Sequence, residues 1–315
     1  MKLDQRGDIA VAEIALYIPI LLLSIVLVLR HGAARRAGWT FFAMLSITRI
    51  VGGVTHVLSE QNPSNTILQT VFSIMESAGL STLLIATLAF LSTVGQPTLE
   101  KHPAMCPRTF RILQLVGTAA IVLLIIGAVL VDGAQSSTTE LGIAAILRHA
   151  GGILFAVLYA LIVALTAFCW VHRAQVLPYR RKLLLAITAS LPFLLIRVLF
   201  TLLGSFAPLP SSSDAAEGNM LPPISGSTSA SDSPNPLQPF SATSGSWVVY
   251  LLMSVLAEYV VVLIYMFAGL RLPLKEDLVD FQKVGRHMHT VTVSQESLPQ
   301  DRCDARPYNP AHYKV

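Results

Sequence analysis

The stretch Asn65–Leu91, NTILQTVFSIMESAGLSTLLIATLAFL, decides how this chain is read. A bilayer core of about 30 Å takes about 20 apolar helical residues, and this run is long and apolar enough to cross it. One carboxylate interrupts it. Glu76 stands nine residues after Ile67, about 14 Å along a helix that rises 1.5 Å per residue. An ionisable group near the midplane costs about 2.5–3.5 kcal/mol on insertion scales. The rest of the chain must supply what offsets that cost.

Outward from this run, six more qualify as spans. The seven are Ile9–Leu29, Trp39–Leu58, Ile67–Leu91, Ile112–Val131, Ile146–Val171, Leu183–Leu203 and Trp247–Leu270. Composition agrees. Hydrophobic residues make up 53% of the 315 and charged residues 13%, where a soluble domain carries about 25% charged. Mean hydropathy is +0.63. The expected fold is an all-α, seven-helix membrane bundle over residues 1–271, an integral multi-pass protein of the endoplasmic reticulum or plasma membrane. Each span is helical because a backbone in lipid must bond to itself. The first run is too long for a signal-peptide core and lacks a small-residue cleavage site after it. Trp39, Trp170 and Trp247 fall at span ends, where an aromatic belt sits.

The net charge of +4 and a pI near 9.0 suggest no nucleic-acid partner here. The basic residues are orientation signals in short loops. Arg30, Arg35 and Arg36 lie in the first loop, Lys101, Arg108 and Arg111 in the third, and Arg173, Arg180, Arg181 and Lys182 in the fifth. The even loops hold no Lys or Arg but carry Glu60, Asp132, Glu140, Asp214, Glu217 and Asp232. Positive loops stay cytoplasmic, so the N-terminus is lumenal or outside and the C-terminus cytoplasmic. The sixth loop, residues 204–246, is rich in Ser, Pro and Gly and reads as disordered. So does the cytoplasmic tail, residues 272–315. There is no internal repeat. Cys106, Cys169 and Cys303 all fall on or near the cytoplasmic side, so no disulfide-linked partner is expected, and their spacing fits no metal motif.

Five charges lie inside spans: Glu13, Arg49, Glu76, Arg197 and Glu258. Counting from span ends puts Arg49 about 15 Å and Glu258 about 16 Å deep, Arg197 about 21 Å from the inner face and Glu13 only about 6 Å below the outer face. None is in the inner third, which suits a polar cavity biased to the outer side. Helical spacing adds neighbours. Tyr17 follows Glu13 by four. Arg49, Gly52, Gly53 and His56 share a side, with glycines that permit close helix approach. Ser73 precedes Glu76, Thr201 follows Arg197, and Ser254 and Tyr265 flank Glu258. Pro192 frees a carbonyl near the same level. Span four has no charge and is expected to face lipid.

Three carboxylates face two arginines. Pairs of this kind also simply tie helices together. If Arg148 or His149, at the outer end of span five, pairs with Glu13, the charges balance. If not, one acid keeps its proton in an apolar pocket and becomes a proton donor. His31 and His56 read first as interfacial polar residues. Several chemistries are pruned. No span contains a lysine for a retinal Schiff base, and no HExxH, Asp-rich diphosphate motif or nucleotide loop is present. No metal and no cofactor are expected.

The segments AEIALYIP (12–19), RHGAARRAGW (30–39), SITRIVGG (46–53), NPSNT (62–66), ESAGLSTLL (76–84), HAGGILF (149–155), LPFLLIRVLF (191–200) and AEYVVVLIYMFAGL (257–270) together resemble an uncharacterised fungal family of seven-span integral membrane proteins. That resemblance implies that the buried charges belong to a family pattern. A weaker likeness of layout is to the fungal meroterpenoid cyclases, small seven-span proteins understood to protonate a prenyl epoxide with buried acids. It implies metal-free acid chemistry on a lipophilic substrate in contact with membrane lipid, in secondary-metabolite biosynthesis, by an isomerase or lyase. Glu76 and Glu258 are then the catalytic acids, and Arg49, Arg197, Glu13, Tyr17, His56 and His149 the charge partners or orienting groups. The preferred assignment has Glu76 as the acid and Glu258 as the partner of Arg197. A seven-span receptor and a lipid or small-molecule transporter or resistance protein are the alternatives. The topology has a direct test. In sealed microsomes a C-terminal tag should be digested by protease added from the cytosolic side; a protected tag overturns the orientation.

Overall fold

The computed structural model describes residues 5–31, 36–61, 66–95, 106–133, 138–174, 176, 178–207 and 246–271. Seven helices in it are long and apolar enough to span a membrane. They are α1 (Gln5–His31), α2 (Arg36–Gln61), α3 (Thr66–Gly95), α4 (Pro107–Gly133), α5 (Thr138–Val171), α6 (Pro178–Phe206) and α7 (Trp247–Arg271). No strand occurs among the described residues. The helices overrun the apolar runs that announce them. Thus α5 begins at Thr138, well before Ile146, and α6 reaches Phe206, inside the stretch assigned to the sixth loop. The rest of that loop, the tail and Cys303 lie outside the described residues.

Consecutive helices pack on one another from α1 to α6, α7 packs on α6, and α1 meets α7 to close the ring. Besides its neighbours in sequence, α3 also packs on α5 and α6, so it stands in the middle. Its span is 78% buried within the protein, against 28% for α1 and for α4. The sequence of α3 explains this. Ser, Thr, Ala and Gly punctuate its apolar residues throughout, so neighbours can approach from several sides. By contrast α4 turns Leu115, Val122, Ile126 and Val129 outward, as its lack of charge suggested, and α1 does the same with Leu16, Ile18 and Leu22.

Two polar ties lie toward the C-terminal end of α7 from the charge cluster described next. Tyr265 of α7 shares a hydrogen bond with Ser190 of α6 at 2.8 Å and donates to Thr87 of α3 at 3.2 Å. Beside Pro192, the carbonyl of Leu191 accepts the Tyr159 hydroxyl of α5 at 3.1 Å. Each spares the protein an unsatisfied group in lipid.

The tryptophans divide. Trp247 is 40% exposed, as a belt residue is, and Trp170 donates Nε1–H to Thr188 at 2.7 Å. Trp39 corrects the belt expectation, because it is only 1% exposed. It packs edge-on to Phe90 and against Phe42, which in turn meet Tyr265. The indole fits because α7 has no side chain at Gly269, where an added Cβ would overlap the ring. Gly269→Val should therefore overpack this site, which typically costs about 1–3 kcal/mol. The expected result is a lower melting temperature and a smaller monodisperse fraction in detergent; unchanged melting would show that Trp39 can leave its pocket freely.

Candidate functional site

The five intramembrane charges meet. Arg49 of α2 is the hub. Its Nε donates to Glu258 Oε1 at 2.6 Å and its Nη2 donates to Glu258 Oε2, a side-on bidentate pair. Its Nη1 donates to Glu76 Oε2 at 2.5 Å and stands 3.7 Å from Glu13 Oε1. Arg197 of α6 spans the same two acids. Its Nη2 donates to Glu76 Oε1 at 2.6 Å and to the Glu76 carbonyl at 3.1 Å, and its Nε donates to Glu258 Oε2 at 3.3 Å. All five charged side chains are at least 93% shielded from solvent.

Hydroxyls complete the two central acids. Tyr17 donates to Glu258 Oε1 at 3.0 Å. Tyr250 donates to Glu76 Oε2 at 3.2 Å, and Ser254 donates to Glu76 Oε1. Each oxygen of Glu76 and Glu258 thus accepts two donors, which is what an ionised carboxylate in a dry site requires. Glu13 differs. Its Oε1 is buried and has no hydrogen-bond partner.

Local structure explains the convergence. Gly79, one turn after Glu76, leaves the room that the Arg49 guanidinium occupies: a Cβ there would lie 3.1 Å from Nε and Nη2. Gly53 lets α1 come close, since a Cβ would meet Ile14 at 2.8 Å and the Ala10 carbonyl at 3.1 Å. On α7, residues Leu251–Leu256 form a π turn. Residues four apart in an α-helix drift about 40° around the axis. A π turn holds more residues, so the drift shrinks, and Tyr250, Ser254 and Glu258 all point into the cluster.

The sequence singled out Glu13, Tyr17, Arg49, Glu76, Arg197 and Glu258, and all six stand together. Glu13 is buried and reaches the cluster, 3.7 Å from Arg49 Nη1. Arg197 is shared by Glu76 and Glu258 rather than reserved for one. Two predicted residues lie elsewhere. His56 sits 3.5 Å from Glu60 on its own helix and packs on Phe72, and His149 stacks on Phe206. Arg148 does not serve Glu13; it donates to the Gly204 carbonyl at 2.9 Å. Tyr250 was missed, and its signal was the spacing 250, 254, 258.

Two spaces adjoin the cluster. A packing gap too small to hold a water lies by Glu13, lined by Thr48, Gly52, Phe72 and Met75. A cavity of about 80 Å³ reaches Glu76 and Arg197 from the other side, between α3, α4, α5 and α6.

A family model for a domain of unknown function, DUF7702, matches residues 3–221. The chain belongs to that family. The DUF7702 match takes in Glu13, Arg49, Glu76 and Arg197 and stops before α7, which brings Glu258. No curated protein and no solved structure matches the chain.

The geometry separates the three acids by stability. Glu76→Gln and Glu258→Gln each take one of the two carboxylates that both buried guanidiniums share, and breaking a buried pair costs about 3–5 kcal/mol. Glu13→Gln removes an acid with no hydrogen-bonded partner on Oε1. Folded yield and melting temperature in detergent should fall for the first two and hold or rise for Glu13→Gln. Equal losses in all three would mean that Glu13 is as firmly held as the others.

Proposed function

We propose that the protein is a membrane-embedded enzyme of metal-free acid chemistry on a lipophilic substrate, with Glu13 as the group that carries the proton. One observation supports this above the rest. Glu13 is a third acid beside two arginines, 3.7 Å from Arg49, and its buried Oε1 accepts no hydrogen bond. A proton on Glu13 brings the five charges to neutrality, the state a low-dielectric site favours. Glu76 and Glu258, each held by both arginines, serve as fixed negative charges.

The most specific form is cyclisation of an epoxidised prenyl chain. Glu13 gives its proton to the epoxide oxygen. The C–O bond breaks as an alkene electron pair closes the new C–C bond, and the cation finally loses a C–H proton, which restores the acid. The product is an isomer of the substrate. Glu76 and Glu258 steady the cation electrostatically. The gap beside Glu13 is too small for a water, so the reacting end of the chain reaches the acid only as α1 moves aside, and the lipid-facing flank of α1 leaves the remainder in the bilayer.

The second reading is a carrier or receptor for a small molecule. It is favoured by the cavity that enters beside Glu76 and Arg197. Expression in a host without related pathways, fed an epoxidised prenyl-phenol, separates the two. The expected outcome is a cyclised isomer by mass spectrometry, lost by about a hundredfold or more in Glu13→Gln at normal protein level. A fully active Glu13→Gln sinks the assignment. Uptake of the compound without conversion moves the carrier ahead.

A further inference from the structure

The cavity on the far side of the cluster has its own chemistry. It lies in the half of the bundle where α3 and α5 begin and α4 and α6 end. Its polar wall is Arg148 of α5, Ser73 and Ser77 of α3, and Thr201 and Ser205 of α6; Arg197 and Glu76 form one side. The charges of Arg197 and Glu76 are matched within the cluster. That of Arg148 is not. Among the described residues no carboxylate lies within ion-pair distance of it, and its Nη2 donates to a neutral carbonyl, that of Gly204. A guanidinium offers five N–H donors, and an arginine within a span is expensive.

The placement of Arg148 is built. Its stem lies across α4 at Gly127, where a Cβ would come within 2.9 Å of the Arg148 Cγ. Three of the four hydroxyls around it have spent their protons, and Thr201 Oγ1 also accepts from Arg197 Nη1 at 3.4 Å. Ser77 donates to the Ser73 carbonyl at 3.1 Å, Ser205 to the Leu202 carbonyl at 2.7 Å and Thr201 to the Arg197 carbonyl at 3.3 Å. What they present to the cavity is lone pairs. A ligand that suits this wall accepts from a guanidinium and donates to hydroxyl oxygens.

Size narrows the class. One water needs about 10–15 Å³ of volume in this measure. A cavity of about 80 Å³ therefore holds about five to eight such groups. A phosphate has five heavy atoms. We infer that this cavity binds a compact oxyanion that carries a hydroxyl, as a hydrogen phosphate or phosphate monoester does, with Arg148 as its anchor. The site is independent of the proton chemistry assigned to Glu13. The same chemistry could arrive as a free phosphate or as the monoester head of phosphatidic acid.

The test uses the full chain in nanodiscs. One arm holds phosphatidylcholine alone and is titrated with inorganic phosphate against chloride at equal ionic strength. The other includes phosphatidic acid, with phosphatidylglycerol as a control of equal charge without the monoester. Binding is read as a rise in melting temperature and by native mass spectrometry. Saturable stabilisation in either arm, above its control, supports the site, and the arm that responds names the source. Arg148→Gln should weaken that binding about tenfold or more, the usual weight of a charge-assisted pair. Ser77→Leu, which fills the cavity and keeps Arg148, should do the same. Stabilisation in neither arm overturns the inference. So does binding that is unchanged in both variants, or phosphatidylglycerol matching phosphatidic acid.

Discussion

A guanidinium buried in the middle of a membrane bundle holds this structure together. Arg49 reaches three helices besides its own, through Glu13 on α1, Glu76 on α3 and Glu258 on α7. Arg197 adds α6. Lipid offers helices little hydrophobic reason to associate, so polar bonds of this kind carry unusual weight in fixing which helices meet. The central place of α3 follows. It bears Glu76, one of the two acids that both arginines hold, and it packs on α2, α4, α5 and α6.

The two sides of the cluster are unlike. Toward α1 the space is narrow and the acid Glu13 is loosely held. Toward α4 and α5 the space is wider, and its one uncompensated charge is the cation Arg148. A carboxyl group with an unbonded oxygen and an arginine bonded to a neutral carbonyl thus flank a charge-matched centre. That asymmetry lets chemistry and recognition be assigned to opposite faces of one network.

The sequence made the helices legible because a span has to be apolar over a fixed length. It made the set of buried charges legible because each interrupts such a run. It did not make their pairing legible. Which acid an arginine meets depends on helix rotation and depth, and both are set by packing. Glu13 stands early in its apolar run, and only packing brings its carboxyl to Arg49 of α2. Trp39 looked interfacial because it ends an apolar run, and only the empty place at Gly269 across the bundle draws it inside. The Arg148 cavity left almost no trace, since its wall is assembled from ordinary Ser and Thr residues on separate helices.

The π turn in α7 bears on how relatives should be compared. In a plain α-helix the positions that return to nearly the same side are seven apart, about 20° short of two full turns. Tyr250 and Glu258 are eight apart. The turn at Leu251–Leu256 absorbs the extra residue. A relative whose seventh span keeps this tyrosine and glutamate seven apart carries the same pair on an unbroken α-helix, and its alignment to this chain needs a one-residue gap within the span. Spacing alone then reports the helix type, and a gap that would ordinarily be pushed into a loop belongs in the middle of the membrane.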